Sequence, residues 1–186
     1  LRAEFSKANL EQLAAKSQTT YRTEPEESID VTFLGRDFHL RRDEILSGDG
    51  GAIDFWVEVL LLMYVTRASG ASVTGDWVAF KELPNTISKF KTFEKWVDRV
   101  PRAFEGRFEE LEKALIEQGG EVIRNESADL AVRFQALPRV PLLLLLWDAD
   151  ADFPARGSLL LDRDVLDYLD QEALTFLAEE LMRRLL

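Results

Sequence analysis

The chain has 186 residues, 46% of them hydrophobic, with 12 Phe and 4 Trp, enough apolar material for a substantial core without a disulfide or metal staple. A formal net charge of -11 repels phosphate backbones and anionic lipid, so neither nucleic acid nor a membrane surface is expected as a partner. The lack of cysteine and the single histidine, His39, exclude thiolate zinc, iron–sulfur and cysteine-nucleophile chemistry within the chain, and every multi-histidine metal site.

Residues Arg2 to Lys16 place Phe5, Ala8 and Leu13 at near-helical spacing and predict one short helix. The polar segment Ser17 to Ser28, which contains Pro25, reads as a loop. Ile29 to Leu34 and Asp37 to Leu40 read as a β-hairpin closed by a tight turn at Gly35-Arg36. Ser47 to Gly51 breaks the chain before a helix over Ala52 to Ala68 that is apolar almost all round, which predicts a central, buried helix. Its apolar run, Val57 to Val65, contains Glu58 and is far shorter than the ~20 residues of a membrane span. With no secretory signal to read in the charged N-terminal stretch, a cytoplasmic protein is expected.

Trp77 to Phe80 predicts a short strand before Leu83-Pro84. Two amphipathic helices follow, over Lys89 to Arg99 and Pro101 to Gln118. Pro101 suits the first turn of the second, and Gly119-Gly120 stops it. Asp129 to Ala136 alternates as a half-buried strand does. Leu137 to Pro141 turns into five consecutive leucines, Leu142 to Leu146, which cannot alternate in and out. That strand, closed by Trp147, is therefore expected to be covered on both faces. Asp148 to Gly157 is a loop, Ser158 to Leu161 a further strand, and Asp164 to Leu169 a helical turn. Asp170 is placed to cap a last helix with Leu174, Leu177, Leu181 and Leu185 on one stripe. Three strands with short connections between groups of helices give an α+β fold: an antiparallel or mixed sheet, a central apolar helix and several amphipathic ones, in a single domain over 1–186.

Two groups of residues stand out as site candidates. Asp148, Asp150 and Asp152 at alternate positions, with Asp162 after the next strand, could supply a loose Mg²⁺ or Ca²⁺ site or an acid–base pair. The same residues also suit a solvated or capping turn, and Phe153 and Leu159 stand where a calcium loop needs Gly and Glu. Asp162 meets Asp148 only if the connection crosses over or folds back. Trp77, Phe80, Trp147 and Phe153 beside prolines and turns could line a flat-ligand pocket or cap a core edge. Arg139 is a fixed cation that could clamp an anion or pair internally. His39 lacks an evident nucleophile or orienting partner and reads as a surface or edge histidine.

The blocks Gly75-Asp76-Trp77-Val78-Ala79-Phe80-Lys81-Glu82-Leu83-Pro84 and Leu137-Pro138-Arg139-Val140-Pro141-Leu142, then Trp147, Asp150-Ala151-Asp152-Phe153-Pro154 and Leu160-Leu161-Asp162, carry a resemblance. With the apolar helix before them, the chain resembles a prokaryotic domain family of unknown function, found mostly in anaerobic bacteria and archaea. Some of its members carry a separate cysteine-rich segment and are loosely labelled iron–sulfur proteins. That label does not transfer to a chain without cysteine, and the resemblance implies no reaction and no cofactor.

The first expectation is therefore a non-catalytic or accessory module that binds a small molecule, a cofactor or a protein partner. The alternative is a carboxylate enzyme using the Asp148 to Asp162 region, with or without a divalent ion. A third reading is an assembly module in which the C-terminal leucine stripe supports a homodimer.

Overall fold

The leucine strand organises the structure. The computed structural model describes residues 1–124 and 127–186. Helices α1 (Arg2–Phe5) and α2 (Leu10–Ser17) lead into strands β1 (Thr20–Arg22), β2 (Ser28–Phe33), β3 (Arg36–Leu40) and β4 (Ile45–Ser47). Helix α3 (Phe55–Arg67) and strand β5 (Trp77–Ala79) precede helices α4 (Ile87–Ala103) and α5 (Phe108–Glu117). Strands β6 (Glu121–Ile123), β7 (Leu130–Leu137), β8 (Val140–Trp147) and β9 (Arg156–Asp162) and helix α6 (Gln171–Arg183) complete the chain. The strands form two antiparallel sheets, a meander β1-β2-β3-β4 and a five-stranded sheet in the order β5-β9-β8-β7-β6. The fold is α+β, and none of its helices is long and apolar enough to cross a membrane, among the described residues.

Strand β8 lies at the centre of the second sheet, and both of its faces are covered. Leu142, Leu144 and Leu146 are fully buried in a core shared with Val97, Val100 and Leu111 of α4 and α5. Leu143 and Leu145 point the other way, into a thin layer with Ala131 that is walled by the half-buried Trp77, Trp147 and Leu160. Helices α4 and α5 pack on the inner face, and α6 packs on α4. The stripe Leu174, Leu177, Leu181 and Leu185 is buried in the same shared core, so it is occupied by the chain itself.

Several boundaries differ from the sequence reading, each for a local reason. The first helix is broken at Asn9, whose side-chain oxygen accepts the N–H of Gln12 at 3.0 Å and starts α2 afresh. The expected loop before residue 28 contains β1, which pairs with β2. Pro101 lies in the last turn of α4 instead of starting α5. The hairpin turn falls one residue earlier, at Leu34-Gly35, with φ of 46° and 75°, the pair of positive values that a two-residue hairpin turn requires. Leu34 is held there because its side chain is buried and its N–H donates to Ala136 O at 2.9 Å on the other sheet.

Helix α3 is central along most of its length, with Leu60, Leu61, Tyr64 and Val65 buried. Its first turn projects from the core: Phe55 is 66% exposed and Trp56 53%.

Candidate functional site

The β8–β9 register decides where the acidic residues fall. Trp147 pairs with Arg156 at one end and Leu142 with Leu161 at the other, so Asp162 lies at the far end of the hairpin from Asp148. Asp162 is 2% exposed, and its carboxylate accepts the N–H of Gly75 at 2.7 Å and the Thr74 hydroxyl at 3.2 Å, tying the segment before β5 to β9. Asp148 Oδ1 accepts the N–H groups of Gly106 (3.0 Å) and Ala149 (2.8 Å). Asp150 Oδ1 accepts those of Asp152 and Phe153, each at 2.8 Å, an Asx turn that shapes the loop, with the Asp152 side chain in solvent. Among the described residues, no three His, Asp or Glu side chains gather as metal ligands would.

The aromatic candidates divide in the same way. Trp77 and Trp147 share the outer layer of the second sheet. Trp147 donates its indole N–H to Ser127 O at 2.6 Å, and Arg156 stacks 4.3 Å from its ring. Phe80 is buried on the inner side and stacks on Phe93, with ring centroids 4.2 Å apart. Phe153 is 65% exposed in the loop. Arg139, at the β7–β8 turn, donates its backbone N–H to the Tyr64 hydroxyl at 3.0 Å. Burial pushes that phenol's pKa far up, so Tyr64 serves as a neutral connector, donating in turn to Ser17 O at 2.6 Å.

Of the concavities elsewhere among the described residues, two stand out. The larger is a groove of about 670 Å³ between α3, α4 and α6. Trp56, Val59, Leu60 and Met63 sit at i, i+3, i+4 and i+7 on α3 and supply one wall. Phe176 supplies the other wall, with its ring 6.2 Å from that of Trp56, and Phe55 continues the aromatic row, 5.4 Å beyond Trp56. Thr92 and Lys89 of α4 line the third side. The α6 rim is acidic, with Glu172 and Glu179 seven residues apart on the same stripe as Phe176. Lys89 pairs with Glu172 at 2.7 Å.

The second concavity, about 560 Å³, lies on the outer face of the four-stranded sheet and is polar. The hairpin register places His39 directly across from Asp30, with Nδ1 2.7 Å from Oδ1. Arg22 reaches across from β1 and donates Nε to the other oxygen. Thr32, opposite Asp37, donates to it at 2.6 Å. At the hairpin end Asp49 accepts the Ser47 hydroxyl at 2.5 Å, the Gly51 N–H at 2.9 Å and Arg36 at 3.3 Å. Burial pushes the Asp30 carboxyl up. Hydrogen bonds from His39 and Arg22, with their charges, outweigh it and hold the carboxyl below the ordinary carboxylate range. Asp49 is held low by the hydrogen bonds from Ser47 and Gly51.

Sequence reasoning missed both concavities. Trp56 is hidden in a helix that reads as wholly buried, although a tryptophan two residues after the N-cap Asp54 lies at the end of the helix, where core cover is thinnest. His39 was read without a partner because the turn was placed one residue late. A turn at Gly35-Arg36 sets His39 against Thr32, whereas the turn at Leu34-Gly35 sets it against Asp30.

A family model described as "Domain of unknown function (DUF3786)" matches residues 9–184. No curated protein and no solved structure matches the chain.

Proposed function

The chain belongs to the DUF3786 family of domains of unknown function, and we propose that it is a non-catalytic docking module whose α3–α4–α6 groove receives an apolar, basic segment of a partner protein. The observation that carries this reading is the row Phe55–Trp56–Phe176. Three aromatic rings run from the groove out onto open surface, where the fold gains little from burying them. Exposed contiguous apolar surface of this kind marks interaction sites, and tryptophan is enriched at their energetic centres.

An open groove that continues into exposed rings suits a chain segment better than an enclosed small ligand. Charge selects the partner's sign. Asp170, Glu172 and Glu179 line the groove against the single cation Lys89, itself paired with Glu172, and the whole chain carries -11. Basic residues flanking the apolar anchors would be drawn in and held in register.

The test uses a fluorescein-labelled model helix with leucine and tryptophan at i, i+3, i+4 and i+7 and lysines flanking them, followed by anisotropy. We expect saturable binding that weakens as salt is raised, and a much weaker response from the same peptide with glutamates for lysines. Trp56→Ala removes an exposed ring without opening the core and should weaken binding by roughly tenfold or more, as loss of a central aromatic anchor does. Equal binding of the basic and acidic peptides, or undiminished binding to Trp56→Ala, would sink the reading.

A further inference from the structure

The polar concavity on the four-stranded sheet has no part in that docking surface. We infer that it is a binding site for a neutral, polyhydroxylated small molecule of the sugar or cyclitol class. Each side chain that lines it has a particular hydrogen-bonding capacity left. Asp30 is ionised, and both its oxygens are engaged by His39 and Arg22. A histidine that donates its Nδ1 proton to a carboxylate turns Nε2 away from it, and in the neutral ring that nitrogen is an acceptor. Thr32 gives its proton to Asp37, which leaves the lone pairs of its hydroxyl free to accept. Arg22 uses Nε on Asp30 and Arg36 uses one terminal nitrogen on Asp49. Both guanidinium groups keep further N–H donors.

The concavity thus sets the Thr32 hydroxyl as an acceptor and Arg22 and Arg36 as donors around one space, with the His39 ring on its wall, and Asp30 and Asp49 are each paired with a cation. An anion can only accept, and would face Asp30, Asp37 and Asp49. A cation can only donate, and would face Arg22 and Arg36. A hydroxyl does both, so adjacent hydroxyls on a ring match an alternation of acceptors and donors without separating any ion pair. The volume of about 560 Å³ lies within the range of small-molecule sites. The cross-strand ladder beneath holds the backbone of β1 to β4, and the ion pairs to Asp30 and Asp49 tether Arg22 and Arg36. The site makes little apolar contact, so affinity in the region of ~1 mM is expected.

The experiment is an amide-resolved NMR titration of the full chain with glucose, galactose, maltose and myo-inositol, run beside sodium sulfate and putrescine as anion and cation arms. The inference expects at least one polyol to shift amides of β1 to β4 saturably, with no response in the α3–α4–α6 groove. Thr32→Val keeps the β-branched shape and removes the acceptor hydroxyl, and His39→Phe keeps a ring and removes both ring nitrogens. Each should weaken the polyol response by roughly tenfold. If sulfate or putrescine moves these amides more strongly than every polyol, the ligand class is wrong. If no member of the panel moves them, or if both variants respond as the native chain does, there is no such site. Neither result bears on the groove, which is read by the labelled helix.

Discussion

Asp30 shows how one residue gathers a site. It stands on β2 between Arg22 and His39, and its side chain is 16% exposed. Because its folded-state pKa lies below the unfolded value, its contribution to stability is complete above the ordinary aspartate range, near 4, and is lost as the pH falls through and below that range. Asp30→Asn should therefore cost about 1–2 kcal/mol at neutral pH, the scale of hydrogen bonds to a charged group, and the gap to the native protein should close as the medium is acidified below about pH 4. Denaturant melts of both proteins across that range check it, and a gap that stays constant down to the lowest pH would show that the ionised carboxylate is not what matters. The Asp30–His39 pairing was within reach of the sequence. What hid it was the cost of putting Leu34 at positive φ, which propensity alone argues against and which a contact from the other sheet sustains.

At the scale of elements, β8 separates two kinds of burial that the leucine run alone does not distinguish. Leu144 faces the deep core and is fully enclosed, whereas Trp147 closes the thin outer layer and stays half-buried under Arg156. Leu144→Ala should open a cavity and cost about 3–5 kcal/mol. Trp147→Ala, whose ring is one side in solvent, should cost about half as much, mostly in lost apolar cover and the bond to Ser127 O. Midpoints of urea denaturation rank the two, and a Trp147→Ala loss equal to or above that of Leu144→Ala would overturn the layer assignment. The strong periodic signals were legible in the sequence: the leucine strand, the alternation of β7, the cap at Asp170 that accepts the Ala173 N–H at 2.9 Å, and the apolar α3. The three-residue strands β1, β4 and β6 were not. So short a segment has no period of its own, and its identity comes from the neighbour it pairs with. For the aspartates, an antiparallel hairpin already implies in sequence that Asp162 lies toward the far end from Asp148, and the β8–β9 register places it there.

At the scale of the whole molecule, the backbone of Leu34 ties the first sheet to the second sheet and to the end of α6. Leu34 donates to Ala136 O and accepts from Arg184 Nη1, each at 2.9 Å, and Arg184 also pairs with the buried Glu180 at 3.0 Å while stacking on Phe33. Both sheets contribute to one continuous core. We therefore expect a single unfolding transition. Trp56, Trp77, Trp96 and Trp147 all lie outside the four-stranded sheet, so their fluorescence follows the rest of the molecule while far-ultraviolet circular dichroism follows everything. Coincident curves support one cooperative unit, and a separate early change in circular dichroism would show that the first sheet melts alone. The edge position of β5 carries a further consequence, for the order in which the protein can mature during synthesis. Trp77–Ala79 leaves the ribosome long before the strand it pairs with, Leu160–Asp162. Until β9 emerges, the nascent chain displays Trp77 and Val78 without the strand they pair with, while the β6–β7–β8 meander can already form from nearby sequence. Translation thus passes through an interval in which a sticky, unpaired segment waits on a late-arriving one, and that interval is when the chain has most need of a chaperone.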